Sequence, residues 1–202
     1  MNLEICFTPA ELAGLDFAGR TVVVADVLRA TSTMIAAVAS GARAVYPVAS
    51  IEEAIQLAQR LGRAETVLSG ERRCLPIEGF DLGNSPREFT PAQVQGRAVV
   101  MSTTNGTGAL LAASPGARVL VGALVNRAAV VREVAGAAEL VIVCAGREGR
   151  FALEDALFAA LLRGTAAGRQ IAAAGLEPDI AHCAGLDLQE IVPIFRERQV
   201  TA

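Results

Sequence analysis

Ala98-Val99-Val100-Met101-Ser102-Thr103-Thr104-Asn105-Gly106-Thr107-Gly108-Ala109-Leu110-Leu111-Ala112-Ala113 decides the reading of the fold. Its first part is a short, continuous apolar run, the pattern of a strand covered on both faces. Small polar residues follow, and Thr107–Ala113 reads as a helix. At such a handover the backbone N–H groups of the first helical turn lack partners, and the helix dipole favours a negative ligand. Glycine lets the backbone approach an anion closely. The turn from Thr103 through Thr104, Asn105, Gly106 and Thr107 therefore suits a phosphate, sulfonate or carboxylate. Read blandly, it is an ordinary polar turn with an N-cap.

The same pattern repeats outward from this stretch. Strands are predicted at Leu3–Phe7, Thr21–Ala25, Ala44–Val48, Thr66–Leu68, Arg97–Met101, Val119–Gly122 and Leu140–Cys144. Helices are predicted at Thr33–Ser40, Ile51–Leu61, Thr107–Ala113, Arg127–Ala137 and Leu153–Arg163. Strand–helix alternation of this kind predicts an α/β protein, a three-layer α/β/α sandwich with a largely parallel or mixed sheet. Ser50 and Glu53 form a capping box, and Asn126 is placed to cap the helix after it. The segment from Glu71 to Pro91, with three prolines, reads as a long excursion of the functional kind. No linker or repeat divides the 202 residues, so a single domain over 1–202 is expected.

Composition excludes several classes. Apolar residues make up 52% of the chain and mean hydropathy is +0.43, enough for a substantial core. No apolar run reaches the ~18 residues of a membrane span, and the N-terminus lacks the form of a signal peptide. A cytoplasmic protein without membrane contact is expected. All 18 basic residues are arginines, which rules out Schiff-base chemistry and a phosphate-loop lysine. They are scattered in a chain of net charge −3, so nucleic acid is not an expected partner. Four separated cysteines and a single His182 argue against a structural zinc site. Self-association into a homo-oligomer is compatible with the sequence.

Three further clusters carry chemistry. Asp26 ends an apolar run and is followed by Arg29, Thr31 and Ser32. A carboxylate at a strand tip can hold Mg²⁺, act as a base or attack phosphorus, and Arg grips anions with its planar fork. An Asp26–Arg29 ion pair is the structural alternative. Glu71 and Arg72 follow the next strand, and Asn84 and Ser85 precede Pro86, an arrangement that opens a helix toward an anion. Glu154 and Asp155 are adjacent at a helix start, close enough to share a divalent metal or simply to complement the dipole. Cys144 and Arg150 have the spacing of cysteine-dependent phosphatases, but Phe151 stands where a hydroxyl is needed; a small core residue is the better reading of Cys144.

In this order and spacing, Asp26–Thr33 (DVLRATST), Gly70–Arg72 with Ile77–Pro86 (GER and IEGFDLGNSP), Thr103–Thr107 (TTNGT) and Cys144–Asp155 (CAGREGRFALED) resemble the 2-phosphosulfolactate phosphatase family of coenzyme M biosynthesis. The similarity spans most of residues 1–160; Cys74-Leu75 departs from the family's glycine-rich filling after GER. The resemblance implies a Mg²⁺-dependent hydrolase that converts 2-phospho-3-sulfolactate to 3-sulfolactate and phosphate. Taken with the residue readings above, catalysis is expected of Asp26, Arg29, Glu71 and Arg72. Metal binding falls to Asp26, Glu154 and Asp155. Substrate binding falls to Thr31, Ser32, Asn84, Ser85, Thr103, Thr104, Asn105, Gly106 and Thr107. Attack by water or through an Asp26 phosphoenzyme both stay open. A phosphatase of another small phospho-acid or sugar phosphate, and a non-catalytic anion-binding module, are the alternatives.

Overall fold

The computed structural model describes residues 2–12, 14–156 and 173–202. Its strands are β1 (Asn2–Cys6), β2 (Thr21–Ala25), β3 (Ala44–Pro47), β4 (Thr66–Arg72), β5 (Leu75–Pro76), β6 (Ala98–Ser102), β7 (Arg118–Gly122), β8 (Glu139–Cys144), β9 (Ile194–Arg196) and β10 (Gln199–Thr201). Its helices are α1 (Ala30–Ala39), α2 (Ile51–Leu61), α3 (Pro91–Val94), α4 (Gly106–Ala113), α5 (Arg127–Val134), α6 (Leu153–Ala156) and α7 (Glu177–Cys183). None of the helices is long and apolar enough to cross a membrane, among the described residues.

The strands run β1-β8-β2-β7-β9-β10-β3-β6-β4-β5 across one mixed sheet. Two parallel sets, β1-β8-β2-β7 and β3-β6-β4, are joined by the antiparallel hairpin β9–β10. Alternate residues of each set face opposite helices. Val22 and Val24 of β2, with Val99 and Met101 of β6, pack on Met34 and Ile35 of α1 and Leu110 of α4. Val23 turns instead toward Val130 and Val134 of α5, and Val100 toward Ala54 and Ala58 of α2. Both faces are thus covered, which is why these strands read as continuous Val runs rather than alternating ones. Each such fully buried side chain contributes about 1.5–3 kcal/mol. Adjacent strands rotate by ~20–25°. Residues at or after the ends of β2, β4, β6 and β8 open on one cleft.

Local chemistry sets the element ends. Ser50 accepts from the Glu53 amide at 3.1 Å, while the Glu53 carboxylate accepts from Ala49 at 3.0 Å, closing the start of α2. Asn126 departs from the expected side-chain cap. Its Oδ1 turns back to accept from Ala123 at 2.9 Å, and its Nδ2 donates to the carbonyls of Val121 and Ile191. It thereby ties the segment entering β9 to the end of β7. Gly70 lies so close to β6 that a Cβ would stand 2.1 Å from the Ser102 carbonyl, so only glycine fits there. The expected helix Leu153–Arg163 is described as far as Ala156; its remainder lies outside the described residues.

Candidate active site

The β2–α1 turn is fastened by its own hydroxyls. Thr31 Oγ1 accepts from the Asp26 amide at 2.9 Å and donates to the Asp26 carbonyl at 2.8 Å. Ser32 Oγ donates to the Val27 carbonyl at 2.9 Å. These bonds draw the chain into helix at Ala30, three residues before the expected start at Thr33. Thr31 and Ser32 are buried beneath the turn, whereas Asp26 and Arg29 line the cleft. Arg29 Nη1 donates to Asp179 Oδ2 at 2.9 Å and its Nη2 to the Cys74 carbonyl at 3.1 Å.

Two carboxylates act as clasps between loops. Glu71, at the end of β4, accepts from the Thr104 amide at 2.7 Å on Oε1 and from the Cys74 amide at 2.9 Å on Oε2. Asp155, in α6, accepts from Val27 at 2.9 Å on Oδ1 and from Gly146 at 3.0 Å on Oδ2. Each clasp joins turns that follow different strands. Asp26, Glu71 and Asp155 line the same cleft. The side chain of Glu154 lies outside the described residues.

The opening turn of α4 is built the same way. Thr103 Oγ1 accepts from the Thr107 amide at 3.1 Å, and Thr107 Oγ1 accepts from the Thr103 amide at 3.2 Å. Thr103 and Thr107 hold the turn from within, and Thr104 and Asn105 face the cleft. Gly106 packs directly on Asp26: a Cβ there would stand 2.5 Å from Asp26 Oδ2 and 2.4 Å from the Ala30 Cβ. The residue type at Gly106 thus fixes how close α4 comes to the Asp26 carboxylate.

Asn84 lines the cleft at only 5% exposure, and its Oδ1 has no hydrogen-bond partner among the described residues. A buried polar atom without a partner costs about 1–3 kcal/mol, a cost relieved by a bound ligand or water. Ser85 points away, donating to Asp179 Oδ1 at 2.6 Å. Arg72 is also turned aside. It donates to the Ser102 carbonyl at 3.1 Å and to Ser102 Oγ at 2.8 Å, joining β4 to β6. The neighbouring Arg73 lines the cleft instead, with Arg147 and Glu148 from the turn after β8.

Among the described residues of the lining, three arginines (Arg29, Arg73, Arg147) face four carboxylates (Asp26, Glu71, Glu148, Asp155), an excess of one formal negative charge. Among the described residues, no group of three or more His, Cys, Asp or Glu is arranged to hold a metal ion. Burial, reinforced by Asp155, pushes the Cys144 thiol up to about 12, so its thiolate is negligible at neutral pH. Burial also raises Cys74, which lines the cleft, against the opposing pull of Arg29. Sequence reasoning did not single out Arg147, Glu148 or Asp179 for the site. Arg147 and Glu148 stand inside the CAGREGR motif, but Asp179 has no motif around it and meets Arg29 only through the tertiary fold.

The model of the 2-phosphosulpholactate phosphatase family matches residues 6–167. A probable 2-phosphosulfolactate phosphatase of Caldanaerobacter subterraneus subsp. tengcongensis is 44% identical over 160 residues, 79% of this chain and 66% of that protein. One from Symbiobacterium thermophilum is 36% identical over 228 aligned positions, covering 95% of this chain and 96% of its own length. One from Thermotoga petrophila is 43% identical over 141 residues, 69% of this chain and 60% of its own length. The chain thus spans about two thirds or less of several relatives and nearly all of the Symbiobacterium protein. With the family's four motifs gathered around one cleft, the chain belongs to the 2-phosphosulpholactate phosphatase family.

Proposed function

We propose that the chain is a Mg²⁺-dependent phosphoric monoester hydrolase that cleaves 2-phospho-3-sulfolactate to 3-sulfolactate and phosphate, in the cytoplasm and in the service of coenzyme M synthesis. The observation that carries this reading is the meeting of Asp26, Glu71 and Asp155 in one cleft with Arg29, Arg73 and Arg147. The relatives' shared name supplies the substrate class.

The donor set fits magnesium. Mg²⁺ keeps several waters and takes only one or two carboxylates besides substrate phosphate, so a three-residue protein cage is not required. Asp26 and Asp155 would hold it, with Glu71 in reserve and Glu154 as the ligand the sequence adds. The lining charge supports the same conclusion. A lining with that excess of negative charge repels an ester that carries phosphate, sulfonate and carboxylate, and one divalent cation reverses that sign. When bound, the ion neutralises phosphoryl oxygens and orients the nucleophile.

The chain's own groups do the rest. Arg29 presents its fork to the phosphoryl oxygens, and Arg73 and Arg147 bind the remaining anionic groups. In the α4 turn the Thr103, Thr104 and Thr107 amides are engaged by Thr107, Glu71 and Thr103, so the Asn105 and Gly106 amides are the ones proposed to meet the ligand. In the overall reaction the ester P–O bond breaks and a P–O bond to water forms. The proton lost by water ends on the alkoxide of 3-sulfolactate, carried by one carboxylate of the cleft acting as base. Hydrolysis of an ester whose phosphorus is made chiral with oxygen isotopes separates direct attack from an Asp26 phosphoenzyme: inversion of configuration supports a single displacement by water, and retention supports two displacements through Asp26.

The test is phosphate release from a panel of small phospho-acids with and without a sulfonate. Preference for 2-phospho-3-sulfolactate over 2-phospholactate is expected. Equal rates on both, or release from neither, would overturn the substrate assignment.

A further inference from the structure

Asp179 is fully buried in α7, twelve residues past the end of the family match at 167. Its Oδ2 accepts from Arg29 Nη1 at 2.9 Å and its Oδ1 from Ser85 Oγ at 2.6 Å, while Arg87 approaches within 3.8 Å. Arg29 is itself only 3% exposed and reaches the cleft. A buried ion pair is a poor stabilising device, because desolvation offsets the attraction, and an apolar pair of similar volume often serves a fold as well. What the carboxylate adds is direction. Asp179 and the Cys74 carbonyl take two of the five N–H donors of Arg29 and fix the plane of its fork, leaving the others for a ligand.

We propose that Asp179 is a positioning residue of this cleft, holding the Arg29 guanidinium in the orientation that meets the phosphoryl oxygens. The inference rests on the phosphatase reading above. It makes the C-terminal helix part of the site, although no family motif covers it. Asp179 touches neither substrate nor reacting atoms; it acts through Arg29, and Ser85 acts through Asp179.

The test compares Asp179→Asn, Asp179→Glu, Arg29→Met and Arg29→Met/Asp179→Leu with the wild-type chain. It reads kcat and KM on 2-phospho-3-sulfolactate, binding of inorganic phosphate by calorimetry, and folding by circular dichroism. Asp179→Asn is expected to lower kcat/KM by roughly 10- to 100-fold, the effect of misplacing a binding group by about 1 Å, with KM raised and phosphate binding weakened in parallel. Asp179→Glu keeps the buried pair charged and covers the case of an Asn variant that fails to fold. Its extra methylene overpacks the site, so its melting midpoint is expected to fall while the fold is kept by circular dichroism, and phosphate affinity measured well below that midpoint is expected to be lost, which a purely structural charge would not do. In the Arg29→Met background, Asp179→Leu should cost nothing further. Wild-type phosphate affinity in the Asn or Glu variant, or additive losses in the double variant, would overturn the proposal. A wild-type chain that binds phosphate through Arg29 and Asp179 but releases none would overturn the phosphatase reading alone. A chain that neither binds nor releases phosphate would overturn both.

Discussion

Replacing Gly106 with alanine adds a single methyl group between α4, α1 and the Asp26 carboxylate. The added Cβ would meet the Ala30 Cβ at 2.4 Å and Asp26 Oδ2 at 2.5 Å. Carbon atoms pack at about 3.5–4.0 Å, so α4 and α1 must separate by about 1 Å and the carboxylate must swing away. Overpacking of this kind costs about 1–3 kcal/mol. At about 2–4 °C per kcal/mol for a chain of this size, the melting midpoint should fall by about 2–12 °C. The larger effect is on chemistry. A displacement of about 1 Å at a reacting group costs ~100-fold, equivalent to about 2.7 kcal/mol of transition-state stabilisation. Steady-state phosphate release, measured well below the melting midpoint, separates the two effects. Gly108→Ala is the control on the same helix, because nothing lies within 4 Å of its added methyl. That variant should gain up to about 1 kcal/mol of helix propensity and keep wild-type kinetics. Full activity in Gly106→Ala, with the expected loss of stability, would refute the claim that a fixed Asp26 carboxylate is required.

Cys144→Ser should retain near-wild-type turnover, since a thiol pushed up to about 12 supplies no nucleophile; loss of activity in a folded variant would reopen the cysteine route. Chelation should abolish phosphate release and Mg²⁺ should restore it, whereas chelator-insensitive turnover would exclude the metal-assisted reading. Asp81 gives a pH test of the loop after β4. Burial alone would raise its carboxyl, but Arg63 and the Leu68 amide hold it below the usual carboxylate range. A depressed value in the folded state contributes stability that is present above the unfolded value and lost as pH falls through the folded one. The melting midpoint of Asp81→Asn should therefore fall less than that of the wild type between about pH 4 and pH 2. An identical acid limb in thermal melts of both proteins would contradict this.

The α/β architecture was legible because its strands are continuous Val and Ile runs and its helices follow polar turns. Elements without such signals were not. β9 and β10 are three residues each, and the turn between them places Glu197 and Arg198 at φ of 51° and 61°, where sequence reasoning looks for Asn or Gly. The Arg73-Cys74 turn between β4 and β5 hides in the same way, with φ of 53° and 68°. In the site, Asp26, Glu71 and Asp155 stand beside strand ends and could be read from the chain. The division of labour within each motif could not. Thr31 and Ser32 bond to their own turn, Arg72 to Ser102 and Ser85 to Asp179, and only the packing of neighbouring strands decides which of adjacent polar residues faces the cleft.

The most direct measurement is phosphate release from 2-phospho-3-sulfolactate by the wild-type chain and by Asp26→Asn, with Mg²⁺ present and folding verified on the same samples. The account expects phosphate and 3-sulfolactate in equal amounts from the wild type, and a loss of most turnover in the folded variant. Comparable rates from the two proteins would contradict it.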